Sequence, residues 1–293
     1  MSALAASAGS GAGVGVRCVN VVQIYRTAGG HDVVALRGVN IDIRPGEQVA
    51  LLGPSGSGKS TLLNLFGGVL RPSAGKVMVD GQDISRVRER ELAALRSGKV
   101  ATLLQGANRN LLPYASAVAN VDFARRALTA ATRRRLPSSR DLLDTLGLGR
   151  LASKPLTGMS GGERQRIAFA CAVSSGAGLL LADEPTSQLS HDDRHAMVGL
   201  MHQVNHEFGT TVVMVTHDAD VATQMPRSIT IRNGRIGAEG RHGFDFGVVD
   251  EDMAVHIPEE LGQRFPTGTL VQFEETGDGL LLRPMETRAD GEA

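Results

Sequence analysis

One lysine and two hydroxyl groups follow a run of small residues in the stretch GPSGSGKST, residues 53–61. Glycines let the backbone curl so that its N–H groups point inward, and such a nest binds anions. The stretch joins a predicted buried strand, residues 47–53, to a helical apolar pattern that begins near Lys59 and adds its N-terminal dipole. The pattern G-x-x-x-x-G-K-[ST] in this context indicates a phosphate site, where Lys59 reaches the β- and γ-phosphates and Ser60 takes a Mg²⁺ position.

Two further apolar runs of strand length end in polar side chains that could complete this chemistry. One run ends in Asp183 and Glu184, and the other is followed by His217. Parallel strands carry chemistry at their carboxyl ends, so Asp183 would hold the Mg²⁺ shell and Glu184 would act as general base toward the attacking water. His217 could contact the γ-phosphate and that water. Taken alone, the carboxylates could instead cap the next helix and the histidine could be structural.

A second helix start of the anion-binding type lies at Ser160, Gly161 and Gly162, just before Glu163. It offers a hydroxyl, free N–H groups and little steric bulk. One chain therefore has two phosphate-type surfaces but one lysine loop. Gln105 follows another apolar run and carries almost no signal by itself.

The order and spacing of these five motifs resemble those of the ATP-binding cassette (ABC) ATPases, over about residues 16–240. In that family they are the Walker A loop, the Q-loop, the signature, Walker B and the H-loop. The resemblance implies catalytic roles for Glu184, His217 and Lys59, and ATP and Mg²⁺ as cofactors. It implies nucleotide contacts from Tyr25, Gly53, Pro54, Ser55, Gly56, Ser57, Gly58, Lys59, Ser60, Thr61, Gln105, Ser160, Gly161, Gly162 and Glu163, and metal contacts from Ser60, Gln105 and Asp183. Tyr25 would stack on adenine; an ordinary strand tyrosine is the alternative.

The resemblance also implies an α/β fold. It is a P-loop NTPase ABC ATPase core with an antiparallel β subdomain and an α-helical subdomain, followed by a small, mainly β C-terminal module. We expect a disordered tail at 1–15, the ATPase domain at 16–242 with its helical subdomain at about 86–160, and an accessory module at 243–293. The last range holds 12 acidic and 3 basic residues, a net charge of −9; because the whole chain sums to zero, the rest carries +9.

The accessory module contains a strand, short helix, strand, turn, strand pattern over residues 253–284, with the turn at Gly277–Asp278. This pattern resembles an AbrB-like swapped-hairpin segment, a fold often used to bind DNA as a dimer. The strong acidity of the module argues against phosphate contacts, because DNA binding rests on Lys and Arg. DNA binding is therefore not expected, and a dimerisation or regulatory role is favoured.

The function implied by the resemblance is that of the ATP-hydrolysing subunit of an ABC transporter. A homodimer, or a pair with a paralogous ATPase subunit, would enclose two ATP between Walker A of one subunit and the signature of the other, and would drive an integral membrane permease on a separate chain. Residues 105–121 are similar to the lipoprotein-release, macrolide-export and FtsE-like branch. The alternative is an FtsE-like ATPase that regulates an extracytoplasmic process without transport.

The resemblance implies a peripheral protein on the cytoplasmic face of a bacterial membrane, and the composition is that of a soluble chain. The chain has 293 residues, of which 42% are hydrophobic and 21% charged, as in soluble globular proteins. It contains no run of 18 apolar residues, and Cys18 and Cys171 lie far apart, which favours a reduced chain. Machines of the SMC or repair type need a long coiled-coil insertion between Walker A and the signature, and the roughly 100 residues here leave no room for one.

Three features depart from simple expectation. Ser190 stands where the family usually has Asp at the end of the loop after Walker B, and Cys171 stands where arginine is common. Arg125, Arg126 and residues 133–135 form a basic stretch. The stretch is either a solvated helix face or a contact for lipid headgroups or a partner.

Overall fold

The computed structural model describes residues 13–26, 30–241, 244–249, 253–255, 257, 264–266, 269–277 and 279–284. Its strands are β1 (Val16–Arg26), β2 (Asp32–Ile43), β3 (Gln48–Leu52), β4 (Ala74–Val79), β5 (Gln82–Asp83), β6 (Val100–Leu103), β7 (Leu179–Asp183), β8 (Thr211–Thr216), β9 (Arg227–Arg232), β10 (Arg235–Arg241), β11 (Phe244–Gly247), β12 (Val271–Thr276) and β13 (Gly279–Pro284). Its α-helices are α1 (Lys59–Phe66), α2 (Glu89–Gly98), α3 (Ala117–Ala124), α4 (Ala130–Arg135), α5 (Ser139–Thr145), α6 (Gly161–Val173), α7 (His191–Phe208) and α8 (Ala219–Ala222). Four 3₁₀ turns lie at Ala107–Arg109, Arg125–Ala127, Gly149–Leu151 and Leu156–Gly158.

A seven-stranded sheet in the order β11-β10-β9-β3-β8-β7-β6 forms the centre of the fold. Strands β9, β3, β8, β7 and β6 run parallel, and β10 and β11 add antiparallel pairs at one edge. Successive side chains of β7 enter opposite cores: Leu180 and Ala182 pack with the helices on one face, and Leu179 and Leu181 pack in the core on the other. Burial on both faces explains why the parallel strands are continuous apolar runs.

The second core lies between this sheet and a four-stranded antiparallel sheet of order β2-β1-β4-β5. Helix α1 packs within it through Leu62, Leu65 and Phe66. Because α1 begins directly after the loop that follows β3, this packing fixes the start of the helix against the central sheet. The expected α/β core with an antiparallel β subdomain is confirmed.

The region predicted as helical, about residues 86–160, also contributes strand β6 to the central sheet, where Val100 pairs with Leu179. This apolar run before Gln105 is visible in the sequence, but its Arg- and Ala-rich surroundings predict a helical region there. Helices α3, α4 and α5 follow it, and each has a hydroxyl N-cap from Ser116, Thr129 or Ser138.

Arg125 is buried, so the prediction of a solvated basic face is wrong for this residue. Its Nε donates to Ser174 O at 2.9 Å and its Nη1 donates to Pro137 O at 2.7 Å. It thereby satisfies carbonyl groups at the end of α6 and before α5, and burial lowers the pKa of its guanidinium. Burial also raises the pKa of the nearby Cys171 thiol to about 12, which makes it an inert core residue.

The C-terminal region begins as part of the central sheet. Strand β11 pairs with β10, and an isolated bridge joins Val249 to Val255. Strands β12 and β13 form a separate hairpin around Gly277, at the position where the turn was expected. The short helix expected between residues 255 and 269 falls largely outside the described residues, as do residues 1–12 of the tail expected at residues 1–15.

Candidate nucleotide site

The phosphate loop is a tight turn that two of its glycines make possible. Gly53 has φ +153°, and a Cβ there would lie 2.2 Å from Ile231 O; Gly58 has φ +105°, and a Cβ there would lie 2.6 Å from Ala35 O. Any side chain at either position would force the loop away from the strands beneath it. The crest of the loop, residues 54–56, is exposed. The loop therefore presents its backbone at the surface while its base is packed.

Lys59 is buried under this loop at the start of α1, with 6% of its surface exposed. Its Nζ donates to Gly53 O at 2.7 Å and to Pro54 O at 2.8 Å. Burial lowers the pKa of Lys59, and the carboxylates of Glu184 and Asp183 oppose that shift. The site thus places one ammonium group between loop carbonyls and two carboxylates.

Ser60 and Asp183 bring two hard oxygen donors together. Ser60 Oγ donates to Asp183 Oδ1 at 3.1 Å, which joins the first turn of α1 to the end of β7. A hydroxyl and a carboxylate oxygen are the ligands that Mg²⁺ accepts beside phosphate and water, so the donor set fits that ion. Below them, the Ser57 hydroxyl is buried and has no hydrogen-bond partner among the described residues.

Glu184 and His217 meet at the ends of neighbouring strands. His217 Nδ1 lies 2.9 Å from Glu184 Oε1 and 2.8 Å from Oε2. Glu184 has φ +47°, a strained conformation for a residue with a side chain, and its N–H donates to Val215 O at 3.0 Å. The Glu184 side chain is 13% exposed and the His217 side chain 63% exposed. A carboxylate and an imidazole within hydrogen-bond reach of each other form a pair through which a proton can be held or passed.

Tyr25 lies beside the loop, at the end of β1. Its hydroxyl donates to Thr61 Oγ1 at 3.2 Å, and 37% of its surface is exposed. The contact joins the end of β1, in the antiparallel sheet, to the first turn of α1. An accessible ring at this position is available for stacking.

The second anion-type helix start is closed by a capping box. Ser160 Oγ accepts from Glu163 N at 3.1 Å, and the Glu163 carboxylate accepts from Ser160 N at 3.0 Å. The latter bond lowers the pKa of Glu163. Ser160 and Gly161 are exposed, so this capping box presents the start of α6 to the surface.

Asp193 is a residue of this region that sequence reasoning missed. Its carboxylate accepts from Arg166 Nη1 at 2.5 Å and from Ser190 Oγ at 2.9 Å. It also fills the space where a Cβ of Gly162 would be, 2.2 Å from Asp193 Oδ1. Asp193 therefore fixes the first turn of α7 against the first two turns of the signature helix α6.

This contact also gives Ser190 a local role. Its hydroxyl caps α7 by accepting from Asp193 N, and it donates to the Asp193 carboxylate. An aspartate at position 190 would place a second carboxylate against the first. The S-x-x-D spacing of a capping box was visible in the sequence, whereas the pairing with Arg166 was not, because it joins distant helices.

Gln105 stands apart from these contacts. It is exposed in the bend after β6, and no hydrogen bond among the described residues joins it to Ser60 or Asp183. Its assignment to the metal and the nucleotide stays a prediction.

Comparison with known families decides what this arrangement is. Residues 36–187 match the model of the family described as ABC transporter. The chain belongs to the ABC transporter family. This agrees with the resemblance of its motifs, and it identifies the chain as an ABC ATPase.

Similar curated proteins place it near ATP-binding subunits of one branch of that family. The chain is 40% identical over 214 residues to the lipoprotein-releasing system ATP-binding protein LolD 2 of Caulobacter vibrioides, covering 73% of this chain and 92% of that relative. It is 38% identical over 230 residues to an uncharacterized ABC transporter ATP-binding protein of Thermotoga maritima, covering 78% and 96%. It is 41% identical over 219 residues to the macrolide export ATP-binding/permease protein MacB of Rhodopirellula baltica, but spans 32% of its length. The LolD/MacB-like type is thereby confirmed, and the non-transport alternative is not better supported.

Solved structures agree. The ATP-binding cassette MJ0796, in a dimeric post-hydrolysis state bound to ADP and Pi, is similar with a TM-score of 0.66 and 34% identity, covering 78% of this chain and all of that one. The chain cbiO1 of Clostridium perfringens, part of the transporter complex cbiONQ, has a TM-score of 0.69 and 27% identity, covering 77% and 88%. The expected ABC ATPase fold and ATPase activity are confirmed. Among the described residues, no helix has the length and apolarity that crossing a bilayer requires.

Proposed function

We propose that the chain is the ATPase subunit of a transporter, that it binds Mg·ATP at the Walker A loop, and that Glu184 is the general base for hydrolysis. The carrying observation is the meeting of Ser60 with Asp183 and of Glu184 with His217 at adjacent strand ends. Ser60 and Asp183 would hold Mg²⁺, which would neutralise part of the phosphate charge. Lys59 neutralises further phosphate charge, and His217 orients the Glu184 carboxylate toward water.

A second copy of the chain would complete the nucleotide site. Ser160 and Gly161 are exposed at the start of α6, and their capping box is closed within its own turn. This surface fits the phosphates of an ATP bound to a second chain, because helix N-termini attract anions. The relative MJ0796 is a dimer bound to ADP and Pi. These observations support the proposed sandwich, in which Tyr25 would stack on adenine.

The membrane partner would dock on the segment from Leu104 to Tyr114, which also carries Gln105. Tyr114 is 98% exposed, Leu104 41% and Leu112 40%. Asn110 pins this segment by bonding both backbone groups of Leu104. Ordered exposed apolar groups of this kind mark protein contacts. The proposed partner is an integral membrane permease, and the chain would then lie on the cytoplasmic face of the membrane. In the MacB relative an ATP-binding part and a permease belong to one chain.

The region 243–293 would serve as a dimerisation or regulatory module. This region has a net charge of −9 and the rest of the chain +9. Attraction between them would orient the module on the cassette, although each exposed charge pair contributes little to the binding free energy. The AbrB-like resemblance rests on a stretch of which the structure describes mainly the β12–β13 hairpin.

Mixing two inactive variants tests the composite site. Lys59→Ala removes the phosphate ligand, and Gly161→Asp places a negative charge at the signature; nothing lies within 4 Å of a Cβ at Gly161, so its own chain accommodates the change. Each variant should be inactive. Their equal mixture should recover up to about a quarter of the parental ATPase rate, because half of the dimers are mixed and each has one complete site of two.

Gly158→Asp is the matched control, since a Cβ there also meets nothing within 4 Å, and it should keep the parental rate. Copurification of differently tagged chains establishes that mixed dimers form. If they form and the mixture is no more active than its components, the shared site is wrong.

A further inference from the structure

Two histidines at the start of α7 face each other. His191 and His195 are four residues apart, one helical turn, and their rings lie with centroids 4.4 Å apart. His191 Nε2 is 3.1 Å from His195 Nε2. Two nitrogens bound to one tetrahedral zinc ion at their usual bond lengths lie about 3.4 Å apart. The two nitrogens are therefore almost at the separation that a shared ion requires.

A third side chain fixes which nitrogen of His195 is free. His195 Nδ1 lies 3.0 Å from Gln224 Oε1, and because an amide oxygen only accepts, Nδ1 carries the proton. The Nε2 atom of neutral His195 then has a lone pair directed at His191. Hydrogen bonding of the second ring nitrogen to an oxygen is the arrangement that orients histidine ligands of metals.

We propose that His191 and His195 bind a transition-metal ion, Zn²⁺ in the first place, through their Nε2 atoms. Without metal, His191 Nε2–H donates to His195 Nε2. On binding, the ion replaces that proton as the link between the two Nε2 atoms and lies to one side of the line joining them; neutral His191 then carries its proton on Nδ1. Solvent fills the remaining coordination positions. Asp192, in the first turn of α7, offsets the unfavourable helix dipole.

The position links this site to the nucleotide machinery. The same turn contains Asp193, bound to Arg166 of the signature helix, and Arg194, whose Nη1 donates to Asp218 Oδ2 at 2.8 Å, next to His217. An ion joining positions 191 and 195 would hold this turn together.

The same helix offers a control with equal spacing. His202 and His206 are also four residues apart, but His202 Nδ1 lies 2.7 Å from Gln48 Oε1 and the structure shows no hydrogen bond or ring contact between these two described residues. If spacing alone produced binding, both pairs would bind. Geometry favours only the first pair.

Zn²⁺ titration of the full, tag-free chain by calorimetry tests the proposal. The parental chain and the double variant His202→Gln/His206→Gln should bind one ion with equal affinity, and the double variant His191→Gln/His195→Gln should lose that binding. Gln224→Ala should weaken it by about tenfold, as outer-shell substitutions do. Cu²⁺ bound to the parental chain should show two nitrogen ligands by electron paramagnetic resonance.

Binding that survives His191→Gln/His195→Gln, or that disappears in His202→Gln/His206→Gln, would overturn the proposal. So would a nitrogen NMR spectrum of the metal-free chain in which His195 carries its proton on Nε2. Circular dichroism of each variant establishes that it is folded, so a loss of zinc binding can be attributed to the substituted histidines.

Discussion

The same three residues, Leu-Leu-Leu, occur in two strands with opposite surroundings. In β7, Leu179, Leu180 and Leu181 are at most 1% exposed. In β13, Leu280 is 60% exposed and Leu281 41%. Both segments are apolar and both form strands, so local propensity does not separate them. The difference comes from what covers them.

Strand β7 lies between two hydrogen-bonded neighbours, β8 and β6, and between two hydrophobic cores. The covering helices and the antiparallel sheet come from elsewhere in the chain. The β12–β13 hairpin has one pairing. Phe273 opposes Leu282 and Val271 opposes Pro284 on one face, whereas Leu281 opposes Glu274 on the other. A two-stranded hairpin is at best marginally stable by itself. Burial in β7 also holds the groups at its end, whereas Arg283 and Pro284, the last residues that the structure describes, are exposed.

The largest effect should come from the residue that follows the buried strand. Glu184→Gln should lower the ATPase rate by at least about 100-fold, because an amide cannot accept the proton of the attacking water. ATP binding should persist, since Lys59 and the loop are unchanged. Steady-state hydrolysis and nucleotide titration measure the two properties separately.

The control is Arg283→Gln, at the residue that follows the leucines of β13. It removes a surface ion pair in which Arg283 Nε lies 3.2 Å from Glu274 Oε2. It should leave the rate at the parental value. A Glu184→Gln chain that hydrolyses ATP at that value would refute the role of the carboxylate.

Replacing one leucine of each strand by alanine compares the stability that burial gives in β7 and in β13. Leu180→Ala should lower the free energy of unfolding by about 2–5 kcal/mol, because the cavity lies in a packed core. Leu280→Ala should change it by no more than about 0.5 kcal/mol, as for other exposed sites. Urea unfolding of both variants measures the difference. A cost above 2 kcal/mol for Leu280→Ala would mean that the hairpin face is buried in the assembled protein.

The sequence predicted what depends on short-range chemistry. The phosphate loop, the strand ends at Asp183 and His217, and the N-cap at Ser160 each follow from neighbouring residues, and the confirmed family accounts for the fold. Long-range packing was not accessible: Arg125 reads as a surface cation, yet distant carbonyls bury it. Asp193 is an ordinary first-turn acid until Arg166 and Gly162 are placed against it.

Residues 244–249 mark where the two kinds of region meet. Strand β11 extends the central sheet, and Val248 and Val249 line a cavity of about 470 Å³ together with residues of β2 and β10. The chain is therefore attached to the core up to this point. The hairpin follows later and forms a sheet of its own.

Two truncations should consequently behave differently. Ending the chain at residue 256 keeps β11 and should leave ATP binding unchanged and the free energy of unfolding within about 1 kcal/mol, because the β12–β13 hairpin forms a sheet of its own and its described side chains are mostly exposed. Ending it at 242 removes the β10–β11 ladder and should lower stability further. Sedimentation of both chains with ATP, with hydrolysis measured in parallel, separates stability from assembly. If the module acts in dimerisation or regulation, the shorter deletion alone weakens the dimer or alters the rate; unchanged assembly and rate would remove that role from the hairpin.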